Sequence, residues 1–444
     1  MTFNNDGDFR KSAGSSSSTV DEVTFNNDGT VTVSDGELVI GPGTSTGTFN
    51  INTGDRMEIE FGTTHIFGTN VDLQGGGELE VDGTLTLNDT LANDSGILAL
   101  ELTQSTVNGA GDLNNTSTIT WQRGTITGSG AVNNQATGTI NMPGGSTRVL
   151  ERDLNNFGNM NWIGNDISAS NVTIRNESTG TFDIQNAFLD LEGNSTTTFE
   201  NEGIFKRSTQ GASTSELRGV TFTNQGGTVD SQFGNLDFGT DTTYTQTSGT
   251  TKISGGSSAA DSPLNINGGD LTGGGAGDID ADVSVNGGNV APGSSADTLD
   301  IDGDLTLVGA GSSITLEIGG TTQGTDYDFL DVQDIATFSG TLNVSFINDF
   351  QNSVQNLDSF TVLTSSTDIA GSFGNVANGA RLNTTDAFGS FLVHYGSGSA
   401  FAASSLIFDD YLAIPEPSTY GLLTGLGLFG LAVCRRQFIR RRCK

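Results

Sequence analysis

Side chains suited to proton transfer are rare in this sequence. Among its 444 residues there are two histidines, His65 and His394. His65 precedes Ile and Phe, and His394 lies between Val and Tyr. This setting favours strand residues over catalytic bases or metal ligands. A serine–histidine–aspartate triad stays open. However, no Gly-x-Ser-x-Gly sequence stands between a predicted strand and a predicted helix, where a nucleophile elbow would need it.

Carboxylates are the most plentiful groups with possible chemistry. There are 52 acidic against 18 basic residues, which gives a formal net charge of -34. Polysaccharide lyases and hydrolases need two or three acids on one face, often with a Lys or Arg. Here the acids are scattered over predicted turns and the basic residues of the central region form no cluster. We therefore predict no catalytic residues and a protein that is not an enzyme. A polysaccharide lyase or hydrolase on the same scaffold is the alternative.

Two short stretches have some likeness to cation-binding loops. Residues 274–280 read GGAGDID, near a calcium-binding GGxGxD turn, but Ile279 occupies an aspartate position and the motif stands alone. Residues 300–304 read DIDGD and lack a glutamate at the distance that an EF-hand requires. We predict no metal site and no cofactor, and leave weak calcium binding open.

The distribution of charge limits the class of partner. All acidic residues precede Cys434, whereas six of the basic residues lie in the last ten positions. Phosphate backbones are bound by clustered Lys and Arg, so an acidic body disfavours nucleic acid. The two cysteines, Cys434 and Cys443, also lie in the tail, so no disulfide framework is expected in residues 1–433.

An Asn-rich turn followed by a short alternating strand recurs along the body. It appears at Asn114, Asn133, Asn155, Asn176, Asn201 and Asn224, at spacings of 19 to 25 residues. This period matches one coil of a parallel β-helix. Asn and Gly suit corners, inward apolar residues stack, and aligned Asn side chains could form amide ladders. The sequence predicts an all-β fold, a right-handed parallel β-helix over residues 1–289. A β-sandwich is the alternative.

The first residues already lie within this repeat. Residues 2–7 read TFNNDG and recur as residues 24–29, an offset of 22. No secretion signal precedes them, so we expect the true start of the protein to lie upstream of Met1.

From about Val290 the texture of the sequence changes. APGSSADTLDIDGDLTL at residues 291–307 is followed by DYDFLDV at residues 326–332 and then by a Phe-rich region. This resembles the C-terminal part of autotransporter-type β-helical passengers. The resemblance implies a C-terminal β region over residues 290–412 that caps the coils. An autotransporter-like passenger with a separately encoded barrel is a second alternative.

The last thirty residues have three successive parts. Pro415, Glu416 and Pro417 are expected to be extended, because Pro417 fixes its own backbone angle and restricts Glu416 before it. Residues 420–434 are uncharged and rich in Leu and Gly, and residues 435–444 are basic. An apolar run of this length predicts one short transmembrane helix, extended by flanking arginines that snorkel. The basic flank predicts that the tail is cytosolic and the body outside.

This arrangement resembles the PEP-CTERM sorting domain of Gram-negative bacteria over residues 413–444. The resemblance implies that an exosortase recognises Pro415, Glu416 and Pro417. The basic residues that would flank the inner membrane are Arg435, Arg436, Arg440, Arg441 and Arg442. It also implies export, anchoring through the C-terminus before processing, and final placement at the cell surface or in the extracellular matrix. The sequence therefore predicts a structural or adhesive surface protein associated with exopolysaccharide or other glycans.

Overall fold

A computed structural model describes residues 1–414, apart from residues 21, 95–98, 103–104, 187, 276 and 294. Side chains of residues 99–102 also lie outside the description. The predicted tail helix and the sorting motif fall beyond residue 414. Within the described residues, the chain is built from strands and one short 3-10 turn, Phe350–Asn352.

The strands wind into a triangular parallel β-solenoid of more than a dozen coils, with three faces that the chain visits in turn. Residues pair with those one coil later, beginning with Thr2 beside Thr24 and Phe3 beside Phe25. The predicted all-β fold and parallel β-helix are confirmed. The repeat found at residues 2–7 is therefore one coil lying on the next.

Face 1 consists of Thr2–Asn5, Thr24–Asn27, Gly43–Ser45, Thr64–Phe67, Thr84–Leu87, Thr106–Gly109, Gly124–Ile126, Arg148–Leu150, Ile167–Ala169, Asn235–Phe238, Ser257–Ala260, Asp278–Asp280, Thr298–Ile301, Phe329–Val332 and Phe360–Ser365. Face 2 consists of Asp8–Lys11, Thr30–Val33, Thr48–Ile51, Asp72–Gly75, Leu91–Asn93, Leu113–Asn115, Val132–Asn134, Leu154–Asn156, Thr173–Asn176, Leu264–Ile266, Val283–Val285, Leu305–Leu307, Ala336–Phe338 and Ala370–Gly371. Face 3 consists of Ser17–Val20, Glu37–Ile40, Arg56–Ile59, Glu78–Val81, Ala99–Leu102, Thr118–Trp121, Thr139–Met142, Asn159–Trp162, Thr181–Ile184, Ile204–Arg207, Asp270–Gly273, Asn289–Pro292, Ser313–Ile318 and Thr341–Phe346.

Three longer strands bend around corners and contribute to more than one face. They are Asp190–Asn201, Thr214–Ser231 and Thr243–Ile253. The chain ends in an antiparallel unit made of Ala380–Asn383, Gly389–His394 and Ser405–Ala413. Parallel stacking crosses residue 289 in register, since Asn289 pairs with Asp270 and Ser313. The predicted boundary between residues 1–289 and 290–412 rests on a change in the sequence pattern and stays a prediction.

Alternation of side chains fills the interior. In strands such as Thr139–Met142 every second residue is buried, because successive side chains of a strand point to opposite sides. Stacking of coils then aligns like residues. Phe199, Phe222 and Tyr244 lie in register with ring centroids 5.0 and 5.4 Å apart. The core is therefore a set of continuous apolar columns rather than a single central cluster.

A buried amide ladder runs along one edge of face 2, as predicted for the Asn-rich turns. Each side-chain amide donates to the Oδ1 of the next coil, for example Asn134 to Asn156 at 2.7 Å and Asn156 to Asn176 at 2.8 Å. The members are Asn93, Asn115, Asn134, Asn156, Asn176, Asn201, Asn224 and Gln246. The second amide hydrogen of Asn156 goes to the Thr181 carbonyl at 3.1 Å.

The glycine after this corner is required by close approach. A Cβ at Gly180 would lie 2.2 Å from the Asn156 carbonyl and 2.6 Å from Asn176 Oδ1. The Asn–Gly pattern of the repeat is thus explained by a side-chain amide packed directly against the backbone of the same corner.

Breaking the ladder should destabilise the whole stack. Asn156→Ala leaves the Asn134 amide without its acceptor and Asn176 Oδ1 without its donor, and unpaired buried groups cost about 1–3 kcal/mol each. We expect a lower urea midpoint for this variant. Asn155→Ala, which removes a half-buried amide on the outer side of the same strand, is the matched control. Equal midpoints for the two variants would contradict a stabilising role for the inner ladder.

Candidate functional site

His65 is a core residue paired with a serine. Its Nε2 lies 2.8 Å from Ser45 Oγ and its Nδ1 lies 3.0 Å from the Gly41 carbonyl. A carbonyl only accepts, so Nδ1 carries the proton and Nε2 accepts from the serine. Ser45 lies in Gly43-Thr44-Ser45-Thr46-Gly47, which has the spacing of a nucleophile elbow. Both side chains are fully buried, so this pair has no access to a substrate.

His394 has an acid partner instead. Its Nε2 lies 3.0 Å from Asp409 Oδ1, and its ring packs edge-on against Phe401. His65 is thus paired with a serine and His394 with an aspartate, so the two pairings that a catalytic triad combines at one histidine occur here at two separate histidines. Among the described residues, no hydroxyl is hydrogen-bonded to His394 and no carboxylate to His65. As predicted, both histidines lie in strands.

Glu37, Glu58 and Glu80 form a carboxylate cluster that sequence reasoning missed. One oxygen of each lies within 4.8 Å of the others on the outer side of face 3. Arg56 forms ion pairs with two of the three carboxylates, with Glu37 at 2.6 Å and with Glu80. Burial raises the pKa of Glu58, and the charges of Glu37 and Asp82 add to the effect. The guanidinium already supplies the positive charge that a metal ion would bring.

Spacing could have revealed part of this cluster. Glu58 and Glu80 are 22 residues apart and lie in register on adjacent coils, whereas Glu37 pairs with Arg56 and so lies two positions away along its strand. The described residues of the GGAGDID stretch lie before and within the face 1 strand Asp278–Asp280, and the Gly275 N–H donates to Asp297 Oδ1.

A row of like charges lies on the outer side of face 1. Asp278 pairs in register with Asp300, and Asp300 with Asp331, so three carboxylates from successive coils stand side by side; we call them the acidic ladder. Burial raises the pKa of Asp300, followed by the charges of Asp331, Asp278 and Asp302. No ion pair reaches these three residues within the described part of the chain. Like charges directly opposite one another are destabilising.

The acidic character begins four coils before Asp278 on the same face. Asp190, Glu216 and Asp237 lie in register, and Arg218 pairs with Asp190 at 3.3 Å and Glu216 at 2.5 Å. Burial raises the pKa of Asp237 to about 6, with Glu216, Asp261 and Asp280 contributing through their charges.

Face 3 shows the opposite arrangement. Asp183, Lys206, Asp230 and Lys252 follow one another in register, so acids and lysines alternate along the axis. Lys206 lies 3.3 Å from Asp183. The two faces therefore differ in how charge is balanced: acids and lysines alternate on face 3, whereas within the described residues the acidic ladder of face 1 has no ion pair with a cation.

One further carboxyl is strongly perturbed near the end of the solenoid. Asp328 is buried and accepts the N–H groups of Asp297 at 3.1 Å and Glu317 at 2.8 Å. Burial raises the pKa of Asp328 to about 8, against the effect of these hydrogen bonds. It fastens the loop before Phe329–Val332 to the neighbouring strand, which is a structural role.

The sorting residues Pro415, Glu416, Pro417, Arg435, Arg436, Arg440, Arg441 and Arg442 all lie outside the described residues. Among those that are described, no helix is long and apolar enough to cross a membrane. The roles predicted for these residues stay predictions.

Comparison with known protein families identifies the tail. The PEP-CTERM protein-sorting motif matches residues 413–436, a range that includes Pro415, Glu416, Pro417, Arg435 and Arg436. No curated protein and no solved structure matches the chain. The chain is thus a β-solenoid that carries a PEP-CTERM sorting motif. This motif implies an exported protein, recognised by an exosortase and held in the membrane through its C-terminus before processing.

His65 should make the fold sensitive to acid. Burial lowers the pKa of His65 below its ordinary value near 6.5. The unfolded chain therefore binds a proton more readily, and stability that is present at pH 7 is lost as pH falls below about 6.5. His65→Gln should reduce the loss of urea midpoint between pH 7 and pH 5. His394→Gln is the control, and an unchanged pH dependence in His65→Gln would exclude this role.

Asp237 should act in the opposite direction. Its folded-state pKa of about 6 lies above the unfolded value of about 3.9, so protonation of the folded state adds stability as pH falls from 7 to 4. Asp237→Asn should therefore stabilise the protein at pH 7.5, by no more than about 1 kcal/mol at this half-exposed position, and add little at pH 4. The exposed Asp6→Asn is the control. A greater gain at pH 4 would contradict the assignment.

Proposed function

We propose that this protein is a non-enzymatic structural or adhesive protein of the bacterial surface, placed there through its PEP-CTERM tail and associated with extracellular polysaccharide. The single observation that carries the proposal is the sorting motif at residues 413–436, which begins at the final residue of the last described strand, Ser405–Ala413. The motif supports export and exosortase recognition. The surface chemistry of the solenoid supports the structural and adhesive role.

The solenoid is suited to a passive, extended role. Its coils are held by backbone pairing along their whole length, and no disulfide is needed, since residues 1–433 contain no cysteine. Outward positions are rich in Thr, Asn, Asp and Ser, as in Thr30–Val33 and Thr139–Met142. Such a surface offers many weak hydrogen bonds to glycan hydroxyls, and repetition along the axis adds them up through multivalency.

A polysaccharide lyase or hydrolase on the same scaffold is the second candidate. The acidic ladder favours it, because three carboxylates from adjacent coils converge on one face. In the described part of the chain, no Lys or Arg forms an ion pair with the acidic ladder and could serve as its base or counter-charge. Arg218 pairs with Asp190 and Glu216, which belong to earlier coils of the same face. Turnover of acidic or neutral glycans that Asp300→Asn abolishes would favour the enzyme over the structural protein.

The tail motif can be tested in the native cell. With an export signal supplied to all forms, we expect the wild-type chain to lose its tail, and with it Cys434 and Cys443, and to reach the surface fraction. Replacing Pro415, Glu416 and Pro417 together by Ala should retain the full-length form in the membrane and lower the surface fraction about tenfold or more. Removal of the exosortase should have the same effect.

Ser418→Ala with Thr419→Ala is the matched control, because it changes the neighbouring positions and leaves the motif intact. Identical processing and placement of the wild type and the motif variant would overturn the proposed sorting route.

A further inference from the structure

An open cavity lies at the corner where face 3 leads into face 1. Its volume is about 370 Å³. Three successive coils line it, because Thr214, Asn235 and Ser257, which begin the next face, lie in register. The lining residues are Gly211, Ala212, Phe233, Gly234, Asn235, Gly255, Gly256 and Ser257.

The glycines of this corner are enforced by what lies beneath them. A Cβ at Gly234 would lie 2.2 Å from Arg207 Nη1. The Arg207 guanidinium is fully buried and donates to the Thr209 carbonyl at 3.3 Å, to Ser213 Oγ at 3.0 Å and to the Phe233 carbonyl. The guanidinium is thus hydrogen-bonded inside the corner beneath Gly234, and Arg207 is not among the residues that line the cavity.

Two phenyl rings stand at this corner in contact with solvent. Phe233 lines the cavity and is 37% exposed, and Phe188 is 76% exposed. Phe188 belongs to the preceding coil, since its N–H donates to the Thr214 carbonyl at 3.1 Å, so it stands about 4.8 Å along the axis from the Gly211 coil. Its φ of 56° is a strained value for an aromatic residue. Such strain, retained to expose a ring, is characteristic of binding sites.

The polar groups of the cavity are uncharged. Asn235 Oδ1 is buried and has no hydrogen-bond partner within the described residues. A buried acceptor left unpaired costs about 1–3 kcal/mol, which favours a rotation of the Asn235 amide towards a ligand hydroxyl in the cavity. Three other cavities, lined in part by Arg175, Arg152 and Lys252, each contain charged side chains. On a chain of net charge -34, this cavity has no charged side chain in its lining.

A second cavity continues along the same corner. It measures about 430 Å³, includes Ser254, next to Gly255 of the first cavity, and has one cation and one anion in its lining, Lys252 and Asp297, whose charges are of opposite sign. Together the two form a furrow over five coils from Gly211 to Asp297, roughly 20 Å long at the strand spacing. An occupant of this furrow is elongated along the solenoid axis.

We propose that this corner furrow, with Phe188, Phe233 and Asn235 as its principal contacts, binds one extended strand of an uncharged polysaccharide. Sugar rings present polarised C–H groups, which pack on the negative faces of phenyl rings. Their hydroxyls exchange hydrogen bonds with Ser257 and, once the half-buried Asn235 side chain turns towards the cavity, with its amide. A polyanion is disfavoured by the acidic body. The inference names a site and a ligand class for the glycan association proposed above and rests on that proposed function.

Affinity electrophoresis of the full-length protein in mild non-ionic detergent tests the site. The gels contain a soluble neutral β-glucan, a soluble neutral α-glucan or polygalacturonate. We expect retardation by at least one neutral polymer. Phe188→Ala with Phe233→Ala should weaken it about tenfold or more, as for buried aromatic anchors, and Asn235→Ala about fivefold. Phe61→Ala is the matched control, because Phe61 is 63% exposed at the same kind of corner several coils away.

Unchanged circular dichroism and urea midpoints establish that the variants are folded. Equal retardation of the double variant and the wild type overturns the inference, as does retardation by polygalacturonate alone or by no polymer. Loss of binding with normal tail processing would refute the site and leave the sorting route standing. Phe-dependent binding by a protein that fails to follow polysaccharide in cells would refute the proposed function and leave the site standing.

Discussion

In-register stacking of one coil on the next is the constraint on which the structure depends. Each backbone N–H and C=O of a strand pairs with the coil before and after it, so inward positions must repeat in type along the axis. The amide ladder is the strictest case. A buried Asn satisfies its acceptor and donor only when the neighbouring coils place an amide at the same point. Corners are freer: the coil length ranges from 18 residues between Asn27 and Ser45 to 33 between Val332 and Ser365.

The same constraint decides the chemistry of the surface. Register aligns outward side chains as firmly as inward ones, so an acid repeated at coil spacing becomes a column of acids about 4.8 Å apart. Face 3 avoids repulsion by alternating Asp183, Lys206 and Asp230. On face 1 this repulsion remains at Asp278, Asp300 and Asp331. Burial and the neighbouring charges raise the pKa of the central carboxyl, that of Asp300. The surface of a solenoid is thus a set of columns with separate chemistry.

The fold class could be predicted from the sequence because the repeat period and the residue types at the corners can be read directly along the chain. The Asn positions from Asn114 to Asn224 recur at nearly constant spacing, and those same turns contain the ladder. The candidate sites were harder to predict because they depend on which residues of different coils coincide. Asp278 and Asp300 are separated by 22 residues, but Asp300 and Asp331 by 31, since a loop is inserted at a corner. Ser45 and His65 are hydrogen-bonded to each other in the core, and the residues that flank each of them in sequence do not indicate that either is buried.

The boundary between solenoid and tail follows from backbone chemistry. The last strand, Ser405–Ala413, pairs with both Phe360–Ser365 and Gly389–His394, and the Ile414 N–H still donates to the Phe388 carbonyl at 2.8 Å. Pro415 and Pro417 have no N–H to donate, so regular pairing cannot continue through them. The match to the sorting motif begins at residue 413, so it starts where the last described strand ends and where two prolines oppose any continuation of sheet pairing.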